Sequence, residues 1–146
     1  MLSSTDEGGE AIDVSIGQKT QRTTAVTEGM VADYAKITGD YNPLHFDTEF
    51  TSHTRFGLLM AQGGITTGLL HALVAIDMPG PGTVFISQEW RFPLPAYIGD
   101  TITAEATVTS VRDDRPIATM EFVVRNQSDK EVLRGEATVY QASPSD

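Results

Sequence analysis

Apolar positions along this chain follow two periods, helical in its first half and alternating in its second. Met30, Val31, Tyr34, Ala35 and Ile37 recur at helical spacing and predict an amphipathic helix. Thr27 suits its N-cap, Glu28 suits its first turn, and the helix is expected to run to about Thr38. A short turn of helix is expected over Thr48 to His53, then a loop from Arg55 to Met60. Gly63 to Met78 is the expected central helix. Its Ile65, Leu69, Leu70, Leu73, Val74 and Ile76 lie nearly all round it, which suits a buried helix. Gly63, Gly64 and Gly68 are poor helix formers. They make sense where another backbone or a ligand comes close. Pro79-Gly80-Pro81-Gly82 stops the helix.

Beyond that stop the period becomes two. Thr83 to Phe92 reads as a strand, with Trp90 and Phe92 as core residues. Ile102, Ala104, Ala106 and Val108 alternate with polar neighbours. So do Ala118, Met120, Phe122 and Val124, and then Leu133, Gly135, Ala137 and Val139. Such alternation predicts antiparallel strands with one buried face. Gly99-Asp100, Asp113-Asp114 and Ser128-Asp129 supply turns, and an early strand near Ile16 to Thr24 adds an edge. One long apolar helix and a run of antiparallel strands make an α+β pattern, with the sheet wrapping the helix.

A length of 146 residues suits one domain with one core. Residues 1–14 are polar and acidic and read as a disordered tail; residues 15–141 form the domain, and 142–146 a short polar tail. With no cysteine, disulfides, thiolate metal sites and a cysteine nucleophile are excluded. No apolar run approaches the roughly 20 residues of a membrane span. The N-terminus lacks the basic and apolar regions of a signal peptide, so a soluble cytoplasmic protein with no membrane partner is expected. The formal net charge is −10, which argues against nucleic acid as a partner. Only Lys19, Lys36 and Lys130 are lysines. The surface reads either as halophilic or as that of an acidic mesophilic protein.

Candidate chemistry concentrates in Tyr34 to His45, where Asp40 and His45 flank Tyr41-Asn42-Pro43-Leu44. Pro43 fixes its own φ and turns Asn42 from helical geometry. A helix should therefore end near Gly39 and pass into a shaped loop. A carboxylate and an imidazole leaving one loop can hold a water and move its protons near neutral pH. The same spacing also fits a helix cap followed by ordinary surface polar groups. The three histidines show no metal-ligand spacing, so no metal is expected. His53 reads as a surface loop residue. His71, within the apolar helix, reads as a buried neutral histidine that could line a tunnel.

The segment resembles the signature of the (R)-specific enoyl-CoA hydratases, also called hydratase 2 or MaoC-like dehydratases. Tyr34, Ala35, Gly39, Asp40, Asn42, Pro43, Leu44 and His45 match it; Thr38 and Thr51 are mild departures. Gln62-Gly63 and Arg91-Phe92-x-x-Pro95-x-x-x-Gly99-Asp100 extend the resemblance over most of residues 16–140. It implies a hot-dog fold, pairing into homodimers, and reversible hydration of trans-2-enoyl-CoA to (R)-3-hydroxyacyl-CoA without a cofactor.

That chemistry needs proton-transfer groups and an oxyanion donor. Asp40 and His45 are the candidate dyad. The backbone N–H of Gly63, at a helix start, is the candidate donor, although helix packing alone also accounts for that glycine. Asn42 shapes the loop. Gln62 stands where relatives carry histidine, and it cannot carry a proton at neutral pH. Arg55, Arg91, Arg112 and Arg115 are candidates for the CoA phosphates, with surface ion pairs as the alternative for each. Leu69, Leu70 and Leu73 are candidate tunnel walls. Other readings are dehydration of a branched, methylmalyl-CoA-like hydroxyacyl-CoA, thioester hydrolysis, and a non-catalytic acyl-CoA-binding subunit.

Overall fold

A computed structural model describes residues 10–144. Helix α1 spans Glu28–Thr38, and Thr27 caps it by accepting the Met30 N–H at 3.1 Å. Gly39 ends it in the left-handed region, φ 83°, where the missing Cβ matters. Helix α2, Thr48–Ser52, is capped by Asp47. Helix α3 covers Gly63–Ala72 and runs on as one π turn over Leu73–Asp77. Five strands follow the expected order: β1 Lys19–Ala25, β2 Thr83–Arg91, β3 Thr101–Val111, β4 Ile117–Arg125 and β5 Glu131–Gln141.

The strands form one antiparallel sheet in the order β1-β3-β4-β5-β2. Its inner face carries the predicted alternation: Ile102, Ala104, Ala106 and Val108 are buried on β3, and Ala118, Met120, Phe122 and Val124 on β4. These residues close over Leu69, Leu70, Leu73 and Val74 of the central helix. Trp90, Phe85 and Phe122 form an aromatic cluster beneath it, with centroids 5.3–6.1 Å apart. Arg22 of β1 grips Asp77 at 2.9 Å and ties the sheet edge to the end of the π turn.

Three expectations change here. Packing begins before residue 15: Ile12 is buried in the core and Val14 packs against it, while residues 1–9 and 145–146 lie outside the described residues. The central helix is not covered all round, because Gly68, His71 and Ile76 are exposed. Phe92 is not a core residue; it lies just past β2, half exposed.

The outer sheet face holds an unusual row. Glu89, Glu136 and Glu121 stand directly opposite one another across β2, β5 and β4. Arg91 and Arg134 oppose each other in the next row, and Arg134 is committed to Glu131 at 2.7 Å. Like charges directly opposite destabilise a sheet, and salt screens exposed charges. The melting temperature is therefore expected to rise by about 3–6 °C between dilute buffer and 1 M NaCl, and Glu136→Gln should flatten that rise. Calorimetry across salt checks this; full stability in dilute buffer counters a salt-adapted surface.

Candidate active site

Each step of the Thr38–His45 loop is held by a local hydrogen bond. The Thr38 hydroxyl donates to the Tyr34 carbonyl and accepts the Asp40 N–H. Asp40 Oδ1 accepts the Asn42 N–H at 3.3 Å. Asn42 then caps a single 3-10 turn, Pro43–His45, by accepting the Leu44 N–H at 3.1 Å. This is the behaviour expected of Asx residues before proline.

The turn delivers His45 inward and leaves Asp40 at the surface. Their side chains are 7% and 41% exposed, with His45 Nε2 at 3.7 Å from Asp40 Oδ1. His45 Nδ1 lies 2.7 Å from the Met60 carbonyl oxygen. A carbonyl only accepts, so Nδ1 carries a proton and donates it. In the neutral ring Nε2 is then an acceptor, facing a carboxylate that is also an acceptor. At 3.7 Å the two share no direct hydrogen bond. Each can instead accept one proton from the same water.

Met60 is the fulcrum of this arrangement. Its N–H donates to the Leu44 carbonyl at 3.1 Å, and the Ala61 N–H pairs with Ala96 at 2.7 Å on the other side. The Leu59–Ala61 segment therefore sits between the His45 loop and the Ala96–Ile98 segment. Nothing in sequence marked Met60, because what holds the histidine is a backbone carbonyl, which every residue has.

A pocket of about 270 Å³ opens beside this fulcrum. Phe56, Met60, Gly63, Thr66, Phe92 and Leu94 are among its walls, and among the described residues Arg55 is the only charged one that lines it. Gly63 begins α3. Gln62 caps the helix without a side-chain bond, and the Gly63 and Gly64 N–H groups have no partner among the described residues. Free N–H groups at a helix start favour negative charge. The Phe92 ring lies 3.4 Å from where a Gly63 Cβ would stand, so it walls one side of this N-terminus while Gly63 itself stays exposed. The turn-rich Phe92–Pro95 stretch after a strand was the available sequence signal for that wall.

Other sequence candidates lie elsewhere. Gln62 is 1% exposed and donates Nε2–H to the Val31 carbonyl at 3.0 Å, tying α3 to α1. It does not line the pocket. His71 is exposed rather than buried. It sits 3.3 Å from Gln88 Nε2 and meets Phe85 edge-on. Leu69, Leu70 and Leu73 are buried in the core and do not line the pocket. Arg91 stands on the outer sheet face. Arg112 is held by Asp114 at 2.6 Å, and that hydrogen bond keeps the Asp114 carboxyl below its ordinary range. Arg115 lies in the same β3–β4 turn. His53 bonds the Glu49 carbonyl on the surface of α2. Among the described residues no group of three or more His, Asp or Glu is arranged to hold a metal ion. No helix among them is long and apolar enough to cross a membrane.

Comparisons with known proteins bear on the family and the fold. The MaoC like domain family matches residues 11–132. An (R)-specific enoyl-CoA hydratase of Aeromonas caviae is 34% identical over 126 residues, 86% of this chain and 94% of the relative. A 3-hydroxybutyryl-CoA dehydratase of Methylorubrum extorquens is 35% identical over 127 residues, 87% of this chain and 80% of the relative. The solved (R)-hydratase from A. caviae, involved in PHA biosynthesis, superposes with a TM-score of 0.84 at 33% identity, covering 89% of this chain and 98% of that one. A five-stranded antiparallel sheet around a central helix is the hot-dog fold of these hydratases. The chain belongs to the MaoC-like dehydratase family and is a hydro-lyase, a hydratase or dehydratase by activity.

Proposed function

We propose that this enzyme hydrates trans-2-enoyl-CoA reversibly to (R)-3-hydroxyacyl-CoA, using a water held by Asp40 and His45. The facing of two acceptors, Asp40 Oδ1 and His45 Nε2 at 3.7 Å, carries this reading. A water donating to both turns an oxygen lone pair toward C3 of the substrate. As the C3–O bond forms, the dyad takes a water proton. The π electrons move onto the thioester oxygen, where the Gly63 N–H stabilises the charge. The enolate then collapses as C2 takes a proton, and the water is fully accounted for. Asp40 is the base, and the proton it takes is the one returned to C2; His45 assists that return by holding the oxygen's remaining proton at Nε2.

No cofactor enters this scheme; the CoA thioester is the substrate. Gln62 is buried against α1 and bonded to the Val31 carbonyl, so its part in this scheme is to pack α3 on α1. The relatives' names support the acyl-CoA class, and the product belongs to the class that polyhydroxyalkanoate synthesis consumes. We read the enzyme as a cytoplasmic homodimer. Its edge strand β2 presents Val84 and Ile86, and the open side of the central helix presents Ile76 at 62% exposure.

The test is the loss of crotonyl-CoA's conjugated absorbance in low and high salt. The expected product is oxidised only by an (R)-specific 3-hydroxyacyl dehydrogenase. Folded protein that leaves the absorbance unchanged in both salts refutes the reading.

A further inference from the structure

Tyr97 connects three parts of the site from a position outside the chemistry. Its backbone bridges Met60, whose carbonyl holds His45. Its N–H is fixed by Asp100 Oδ2 at 2.9 Å, and Asp100 is held in turn by Gln127 at 2.9 Å. Its hydroxyl reaches across 41 residues of sequence to donate to the Phe56 carbonyl at 2.9 Å. Phe56 is a pocket wall, and the Arg55 guanidinium lies 5.1 Å over its ring. Arg55 makes no ion pair among the described residues and stands at an otherwise uncharged pocket in a protein of net charge −10. Gly57, at φ 76°, bends the chain immediately after. Without the Tyr97 bond, the Arg55–Gly57 corner keeps only short local contacts, Leu58 N–H to the Phe56 carbonyl and Phe56 N–H to the Thr54 hydroxyl at 3.2 Å.

We propose that Tyr97 is a positioning residue. Its hydroxyl holds the Phe56 corner and so keeps Arg55 at the pocket mouth to receive the phosphate-bearing part of the thioester carrier. The carrier's identity rests on the hydratase reading; the positioning does not. A cation resting on an aromatic face keeps its N–H edges free for a phosphate. In an acidic protein one such placed cation counts for more than a mobile one, because the surrounding field repels the phosphates.

The experiment compares Tyr97→Phe and Arg55→Ala with wild type on two substrates. One is crotonyl-CoA; the other is the crotonyl thioester of N-acetylcysteamine, which has no phosphate. Losing one positioned, charge-assisted contact is expected to raise KM for crotonyl-CoA about tenfold in both variants, with kcat within about twofold. The phosphate-free thioester should show the same KM in all three proteins. Amide hydrogen exchange over residues 55–58 should quicken in Tyr97→Phe and stay unchanged in Arg55→Ala. Equal KM rises on both thioesters overturn the proposal, as does an unchanged KM or a fall in kcat alone. If wild type hydrates neither thioester, the hydratase reading fails. The proposal is then decided by exchange and by calorimetric titration with CoA itself, where unchanged exchange or affinity in Tyr97→Phe overturns it.

Discussion

Asp40→Asn is expected to lower kcat/KM for crotonyl-CoA by about 10³-fold while leaving the melting temperature within about 2 °C. The two halves of that expectation have separate causes. Asp40 is 41% exposed, and its side chain's hydrogen bond, accepting the Asn42 N–H, survives in asparagine through the amide oxygen. The fold therefore loses little. Chemically the change is large, because the amide is not basic at neutral pH. If its NH2 turns toward His45, it donates to Nε2 and removes the second acceptor as well. His45→Ala is expected to behave differently. His45 is buried and bonded to the Met60 carbonyl, so its loss leaves that oxygen unpaired and a void beneath the loop. Activity and stability should both fall. A kinetic assay paired with thermal unfolding separates the cases; Asp40→Asn that keeps more than a tenth of the activity removes the dyad from the mechanism.

Local chemistry decided which of these features could be read in advance. The α1 ends were legible because Thr27 and Gly39 act within their own turn. The Asp40–His45 approach was legible because four intervening residues, one of them a proline, set it. Alternation revealed the inner face of β3, β4 and β5, since side-chain direction in a strand is a matter of parity. Where two distant segments decide the outcome, sequence was silent. The sheet order places β2 beside β5, and no residue in Thr83–Arg91 encodes that partner. The π turn at Leu73–Asp77 follows a helix that is apolar on most sides, so one extra residue per turn leaves no trace in the pattern. Expected burial of His71 failed for a related reason: an apolar stretch does not say which stripe the sheet covers. Phe92 read as core by parity, but the chain leaves the sheet at Arg91, and the ring turns to the pocket. Tyr97 carried no signal, because a hydroxyl bonded 41 residues away is a tertiary fact.

The adjacent glycines at the start of α3 give the sharpest separation of packing from function. Gly64→Ala is expected to lower the melting temperature by about 5–10 °C, or to prevent folding. A Cβ there would fall onto the Tyr34 hydroxyl and the ring carbons beside it. Rotating a flexible tip cannot relieve this, since the ring carbons clash as well as the oxygen. Tyr34→Ala removes the obstacle. The double variant is accordingly expected to be more stable than the two single losses added together, a coupling that thermal unfolding reads directly. Gly63→Ala should do the reverse. Its Cβ meets only Phe92, at an ordinary 3.4 Å, and its φ is not positive, so alanine fits and slightly favours the helix. Its melting temperature should hold or rise. The added methyl, however, stands in the pocket beside the N–H proposed to meet the thioester oxygen. Displacing that oxygen is expected to cost about 10²-fold in kcat/KM. Full activity in Gly63→Ala, at unchanged stability, would remove the N-terminus of α3 from the oxyanion role and return both glycines to packing.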